Sequence, residues 1–304
     1  MRRSKECDTQ REACTYHLPY IPQLSYSFST KIQFNESGVP VMIENCHNGL
    51  PTYPYFDENH QVVCPMNFFR SSTDIRPTFG SVLINLRTTS AYNDPKLTGP
   101  GCWSYPDMLE VGVTNSQHPN FPTLSFVEAR THFSAWCIVS SPLVLGNDLR
   151  DQDKMDEIWP IISNREAIAV NQAWAGDSGT LIKQSDEETH FSNCSWFNND
   201  GCSHPSFMIW KKVLAMSDDD KTVREVAVLL MNNANVSHDL TVDFAQDLNM
   251  SSSGSTVTAT VRDIHAHKDL GNFVGKFTAK SIGPRDSAFV VITTATGGTS
   301  TTLR

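Results

Sequence analysis

The sequence predicts an α/β plus all-β protein: a partial TIM (β/α) barrel followed by an antiparallel β-sandwich. Three observations carry this. From about position 39 to 172, short apolar strands alternate with helical segments, as in parallel βα units. Beyond about position 176 the pattern changes to short β-rich runs separated by turn residues. The stretch ahead of those runs is about 175 residues, short of the roughly 250 that eight βα units occupy, so half a barrel is expected.

Residues 1–37, with Pro19 and Pro22 among scattered apolar positions, read as an irregular N-terminal segment. Their start, MRRSKECDTQ, is basic and has no apolar run of signal-peptide length. The partial barrel is assigned to 38–178. VPVMIENC (39–46) is its first strand, and VVCPMNFFRSS (62–72) contains the second. FGSVLINL (79–86) can form the next helix. PDMLEVG (106–112) is the third strand, ended by glycine, and PLVLGNDL (142–149) the fourth. Between them, Ser125 and Glu128 form a capping box, and Phe126, Ala129, Phe133 and Trp136/Cys137 recur on one face for packing on the sheet. A helix over 155–162 should be interrupted at Pro160. Ser163 and Glu166 form a second capping box, opening a segment that ends near Gln172. The sandwich, 179–298, contains SFMIWKKVL, EVAVLLMNN, HDLTVDF, STVTATVRDI and SAFVVITTA, and 299–304 is a tail.

The 304 residues are 39% hydrophobic, enough for a full core, and carry a net charge of -9. That balance lacks the basic footprint of a nucleic-acid binder and favours sugars or neutral small molecules. No apolar run reaches the roughly 18 residues of a membrane span. Eight cysteines lie at 7, 14, 46, 64, 102, 137, 194 and 202 without C-x-x-C spacing, so no metal or other cofactor is expected. Cys194 and Cys202 flank a polar loop and are expected to form a disulfide. With N-x-S/T sequons at Asn35, Asn193, Asn235 and Asn249, they favour a disulfide-permissive compartment. Cys102 and Cys137 read as buried free thiols.

Carboxylates at the C-terminal ends of barrel strands are the candidates for chemistry. Asp74 follows the second strand, with Arg70 four residues earlier. Asp107 opens the third, and Glu44 and His47 flank the end of the first. Paired carboxylates beside Arg and His fit glycoside hydrolysis, where one carboxyl group protonates the leaving oxygen and another attacks or activates water. Each has a plainer alternative. Asp74 can be a loop or cap residue, Asp107 a structural hydrogen-bonding group, Glu44 a buried partner of a neighbouring strand and His47 a loop histidine.

Four motifs, RSSTDI (70–75), GPGCWSYPDMLEVG (99–112), FSAWCIVSSPLVLGNDLR (133–150) and AIAVNQAWAGD (167–177), resemble those of α-galactosidases (melibiases) of glycoside hydrolase family 27, in the family's order and spacing. The family also includes α-N-acetylgalactosaminidases. The resemblance implies a retaining hydrolase of terminal α-D-galactose on oligosaccharides or glycoconjugates, secreted or lysosomal/vacuolar, with a homodimer as a candidate assembly. Asp74 would be the general acid/base, and Arg70, Asp107, Met108, Glu44 and His47 would contact the sugar. Cys46 and Cys64 match cysteines that look like a family disulfide. The family's nucleophile sits in a K-x-D-x-C motif on the strand before VPVMIENC, and that motif is not present; ahead of position 39 the acids are Glu6, Asp8, Glu12 and Glu36. W-N-D-P-D-M reads WSYPDM here, and His47 stands where many relatives have glutamate. The alternatives are a non-catalytic sugar-binding or pseudoenzyme protein, or a related α-glycosidase such as an α-N-acetylgalactosaminidase.

Overall fold

The structure is a computed structural model. It describes residues 4–7, 14–17, 38, 41–46, 55–64, 66–93, 96–114, 122–194, 201–217, 219, 221–251 and 256–294. The expectations for His47, Asn35 and the tail fall outside these residues. Within 1–37, read as irregular, β1 (Ser4–Cys7) and β2 (Cys14–His17) form an antiparallel hairpin.

Three parallel strands form the barrel fragment. β3 (Glu44–Asn45) is followed by a small hairpin, β4 (Tyr55–Phe56) and β5 (Val62–Val63), and then by β6 (Phe68–Arg70) and β7 (Trp103–Tyr105). β3, β6 and β7 lie side by side in chain order, as successive βα units should. The expected third strand is displaced. Pro106 has no N–H to give the ladder and Asp107 turns to φ 87°, so regular pairing stops at Tyr105 and Asp107 follows the strand instead of opening it. From 106–112 and 142–149, the third and fourth predicted strands, a single parallel bridge remains, Leu109 to Leu145.

The helices start where local chemistry caps them. α1 (Phe79–Thr88) is capped by the Thr78 hydroxyl accepting from Ser81 N–H. α2 (Phe126–Ile138) has the predicted reciprocal Ser125–Glu128 capping box. It is buried almost all round, because it lies between the barrel strands and the sandwich, while Phe126 at its start is exposed. α3 (Gln152–Ile162) runs through Pro160 without stopping. Pro160 lies on the exposed face, so the carbonyl one turn earlier is left next to water. The second predicted capping box does not form. Ser163 ends α3, its hydroxyl bonding the Trp159 carbonyl, and Asn164 caps α4 (Arg165–Gln172).

β8 (Thr180–Gln184) then begins the sandwich, with β9 (Glu188–Phe191), β10 (Cys202–Pro205), β11 (Phe207–Met216), β12 (Val223–Asn232), β13 (His238–Asp243), β14 (Thr258–Asp263), β15 (Lys268–Val274), β16 (Lys276–Ile282) and β17 (Ser287–Thr294) following. Six strands, in the order β15-β14-β17-β12-β11-β8, make one antiparallel sheet, and β13 pairs with β16 opposite it. β12 explains its unbroken apolar run. Val226, Val228 and Leu230 enter the sandwich core, whereas Ala227, Leu229 and Met231 join the core built on the barrel helices. A sheet covered on both faces selects apolar residues at every position.

Among the described residues two disulfides are formed. Cys194–Cys202 is the expected one, packed so closely on α1 that a Cβ at Gly80 would come within 2.5 Å of Cys194 Sγ. The other joins Cys64 to Cys102, so neither the Cys46–Cys64 pairing nor a free Cys102 is found. The reason is topological. Cys64 and Cys102 precede adjacent parallel strands and meet at their N-terminal ends, with Cα atoms 5.9 Å apart. Cys46 follows β3 at the opposite end and is free and exposed. Cys137 is buried and free, as expected.

Candidate active site

The C-terminal ends of β3, β6 and β7 bring together Glu44, Cys46, Arg70, Asp74, Tyr105 and Asp107. Arg70 is the last residue of β6 and is buried at 8% exposure. Its Nη2 donates to Asp74 Oδ1 at 2.8 Å and also to Asp107 Oδ2, so one nitrogen serves two carboxylates. Its Nη1 lies 3.5 Å from Cys46 Sγ. The carboxylates differ in environment. The Asp74 side chain is 68% exposed, and that of Asp107 is 6% exposed.

Asp107 is held on every side. Oδ2 accepts from Ile75 N–H at 2.8 Å as well as from Arg70, and Oδ1 accepts from Met108 N–H at 2.8 Å. Its φ of 87° is a conformation that costs an L-residue about 1–3 kcal/mol, and the surrounding bonds hold it there. Met108 follows on the surface at 38% exposure, beside Gly146, where a Cβ would meet its sulfur at 2.9 Å.

The electrostatics follow from burial. Desolvation raises the Glu44 carboxyl above its ordinary range, with Arg70 acting against the rise and Asp107 adding to it. The Tyr105 phenol is pushed up by desolvation first and then by Asp107 and Glu44, which keeps it neutral. Glu110 is buried next to this group, and desolvation, reinforced by Asp107, raises its carboxyl to about 8. Among the described residues no group of His, Cys, Asp and Glu is placed to hold a metal ion.

Of the six sugar-site residues expected from sequence, five fall in the described part. Glu44, Arg70, Asp74 and Asp107 cluster, and Met108 flanks them. Sequence reasoning missed Tyr105, Glu110, His132 and Trp136. Tyr105 could have been found, since it lies inside the WSYPDM motif where it departs from the family pattern. Trp136 reads as core from its helical stripe, and contact alone brings it, Glu110 and His132 to the site.

Comparison with known proteins bears on the family and the fold. The family model described as alpha galactosidase A matches residues 21–173, and the one described as alpha galactosidase C-terminal beta sandwich domain matches 206–292. Alpha-galactosidase 3 of Arabidopsis thaliana is 30% identical over 234 residues, covering 76% of this chain and 44% of the relative. The alpha-galactosidase of Oryza sativa subsp. japonica is 31% identical over 229 residues, 75% of this chain and 44% of the relative. The chain thus spans less than half the length of these relatives. Among solved structures, alpha-galactosidase I from Mortierella vinacea superposes with a TM-score of 0.65 at 20% identity, covering 89% of this chain and 62% of that one. The Saccharomyces cerevisiae enzyme with raffinose gives 0.65 at 18% identity, with 90% and 68% covered. These last two show the fold, a TIM-type barrel with a β-sandwich, and the family models supply the membership: the chain belongs to the α-galactosidase family, glycoside hydrolase family 27.

Proposed function

We propose that this chain carries the acid/base and sugar-recognition part of a retaining α-galactosidase acting on terminal α-D-galactose. The observation that carries this is Asp74, an exposed carboxylate held at 2.8 Å by a buried arginine at the C-terminal end of a barrel strand. Asp74 would protonate the glycosidic oxygen as the bond to the anomeric carbon breaks, then take a proton from water in the second step. Arg70 fixes its position and, with Asp107, Met108 and Glu44, would line the sugar pocket. The solved Saccharomyces cerevisiae relative with raffinose supports an α-galactoside as the ligand. Two disulfides, and exposed sequon asparagines at 235 and 249, support an oxidising, secretory or lysosomal/vacuolar setting.

Retention also needs a nucleophilic carboxylate about 5–5.5 Å from the acid/base. Asp107 shares Arg70 with Asp74, but its oxygens already accept from two backbone N–H groups and the guanidinium, which lowers their nucleophilicity. This favours a second reading for the 304 residues taken alone, sugar binding without turnover. The test is an aryl α-galactoside assay combined with calorimetric titration of D-galactose into the purified chain. Galactose is expected to bind and hydrolysis to be absent. Absence of galactose binding defeats the sugar reading. Turnover that survives Asp74→Asn undiminished defeats the role given to Asp74, and preference for N-acetylgalactosamine moves the specificity to that sugar.

A further inference from the structure

Helix α2 places two polar rings against the loop that carries Asp107. His132 and Trp136 are one turn apart, so they share a face. Their rings meet edge to face with centroids 4.1 Å apart, and both are fully buried. Each uses its polar atom on the same short stretch of backbone. Trp136 Nε1–H donates to the Asp107 carbonyl at 2.7 Å, and His132 Nε2 accepts from the Glu110 N–H at 3.0 Å. An acceptor Nε2 requires a neutral imidazole with its proton on Nδ1, and burial keeps the ring neutral by lowering it to about 3.

We propose that His132 and Trp136 are positioning residues for Asp107: a two-point clamp on residues 107 and 110 that holds the Asp107 carboxylate in its left-handed turn, aimed at the sugar pocket. The assignment of Asp107 to that pocket rests on the function proposed above; the clamp itself does not. An aromatic pair that only filled volume would have no reason to aim both polar atoms at one loop. Here a donor holds one end of Asp107-Met108-Leu109-Glu110 and an acceptor the other. Between these points the backbone adopts φ 87° at Asp107, which it would leave if released. The Asp107 oxygens are then taken by Ile75 N–H and Met108 N–H, so these two amides report the carboxylate's position without any ligand.

The experiment is amide hydrogen exchange by NMR on the 304-residue chain and its Trp136→Phe variant, which keeps an aromatic ring and loses the donor. Exchange at Ile75 and Met108 is expected to accelerate about fivefold to tenfold, the effect of one lost hydrogen bond, while Val228 and Leu230 in the sandwich stay unchanged. Unchanged exchange at Ile75 and Met108 overturns the clamp. So does an equal acceleration everywhere, which would mean general loosening. If Trp136→Phe does not fold, His132→Gln, which can still accept from Glu110 N–H, is compared with His132→Leu, which cannot. Protection kept in the first and lost in the second supports the clamp, and equal behaviour overturns it. D-Galactose titration of the same samples keeps the two claims apart. A chain that binds no galactose, yet loses protection in Trp136→Phe, has the clamp but not the sugar site.

Discussion

Arg70 and Glu110 show how burial divides the acids of this site. Arg70 spends one nitrogen on an exposed and a buried carboxylate, and that shared contact ties the accessible Asp74 to the fixed Asp107. The guanidinium lies between the two carboxylates. Glu110 has no such partner, its Oε2 being buried without a hydrogen bond, so burial and the nearby Asp107 raise it to about 8. The sign of the consequence is fixed. Above pH 4.5 the unfolded chain ionises this group and the folded chain does not, so stability present at lower pH is lost as pH rises through about 8. Glu110→Gln, which mimics the neutral acid, is expected to remove this loss. Chemical denaturation from pH 4.5 to 8 should show the natural chain falling relative to the variant by roughly 2–4 kcal/mol in total. Parallel curves would refute a buried neutral Glu110.

Among the elements, the helix start at Ser125 was legible, whereas the Ser163–Glu166 box gave way to an Asn164 cap and the 106–112 strand to a turn. The Ser125–Glu128 box marked the start of α2, because a cap is written within four residues. The PDMLEVG strand was misplaced, because an apolar run shows burial but not which backbone groups find a partner, and Pro106 together with the turn at Asp107 ends the ladder. The disulfide was mispaired for the same kind of reason: Cys64 and Cys102 are 38 residues apart in sequence and become neighbours through strand adjacency. Lys212 is a further case. It lies on β11, fully buried, and its Nζ donates to the Val170 and Asn171 carbonyls at 2.6 and 2.9 Å, satisfying the C-terminal end of α4 from the sandwich side. Desolvation lowers it to about 8. Lys212→Met should leave those carbonyls unpaired and cost about 1–3 kcal/mol by urea unfolding. A neutral result would mean that water replaces the ammonium.

At the scale of the whole molecule, the barrel fragment and the sandwich share one core. Trp136 and Phe133 of α2 join Trp210, Leu229 and Phe289 of the six-stranded sheet in one apolar cluster. Around it, polar contacts join the two parts: Arg130 to Asp286 at 2.7 Å, Arg285 to Glu128 at 2.9 Å and Arg262 to Glu166 at 2.7 Å. The parallel sheet is less covered: among the described residues β3 pairs on one side only, and Val41 and Met42 just ahead of it are exposed. An edge with apolar neighbours invites pairing. The 33.9 kDa chain is therefore expected to run above its monomer mass in size exclusion with light scattering, increasingly so with concentration; a concentration-independent monomer would show that the edge is protected. The sequence alone determined the fold class, the family motifs and the order of Arg70, Asp74 and Asp107, because strand alternation, capping and motif spacing are local and survive as patterns. Only the tertiary structure decided that one guanidinium joins both aspartates, that Cys64 pairs with Cys102, and that His132 and Trp136 grip the loop of Asp107. Those contacts link residues far apart in the chain, and packing alone sets their distances.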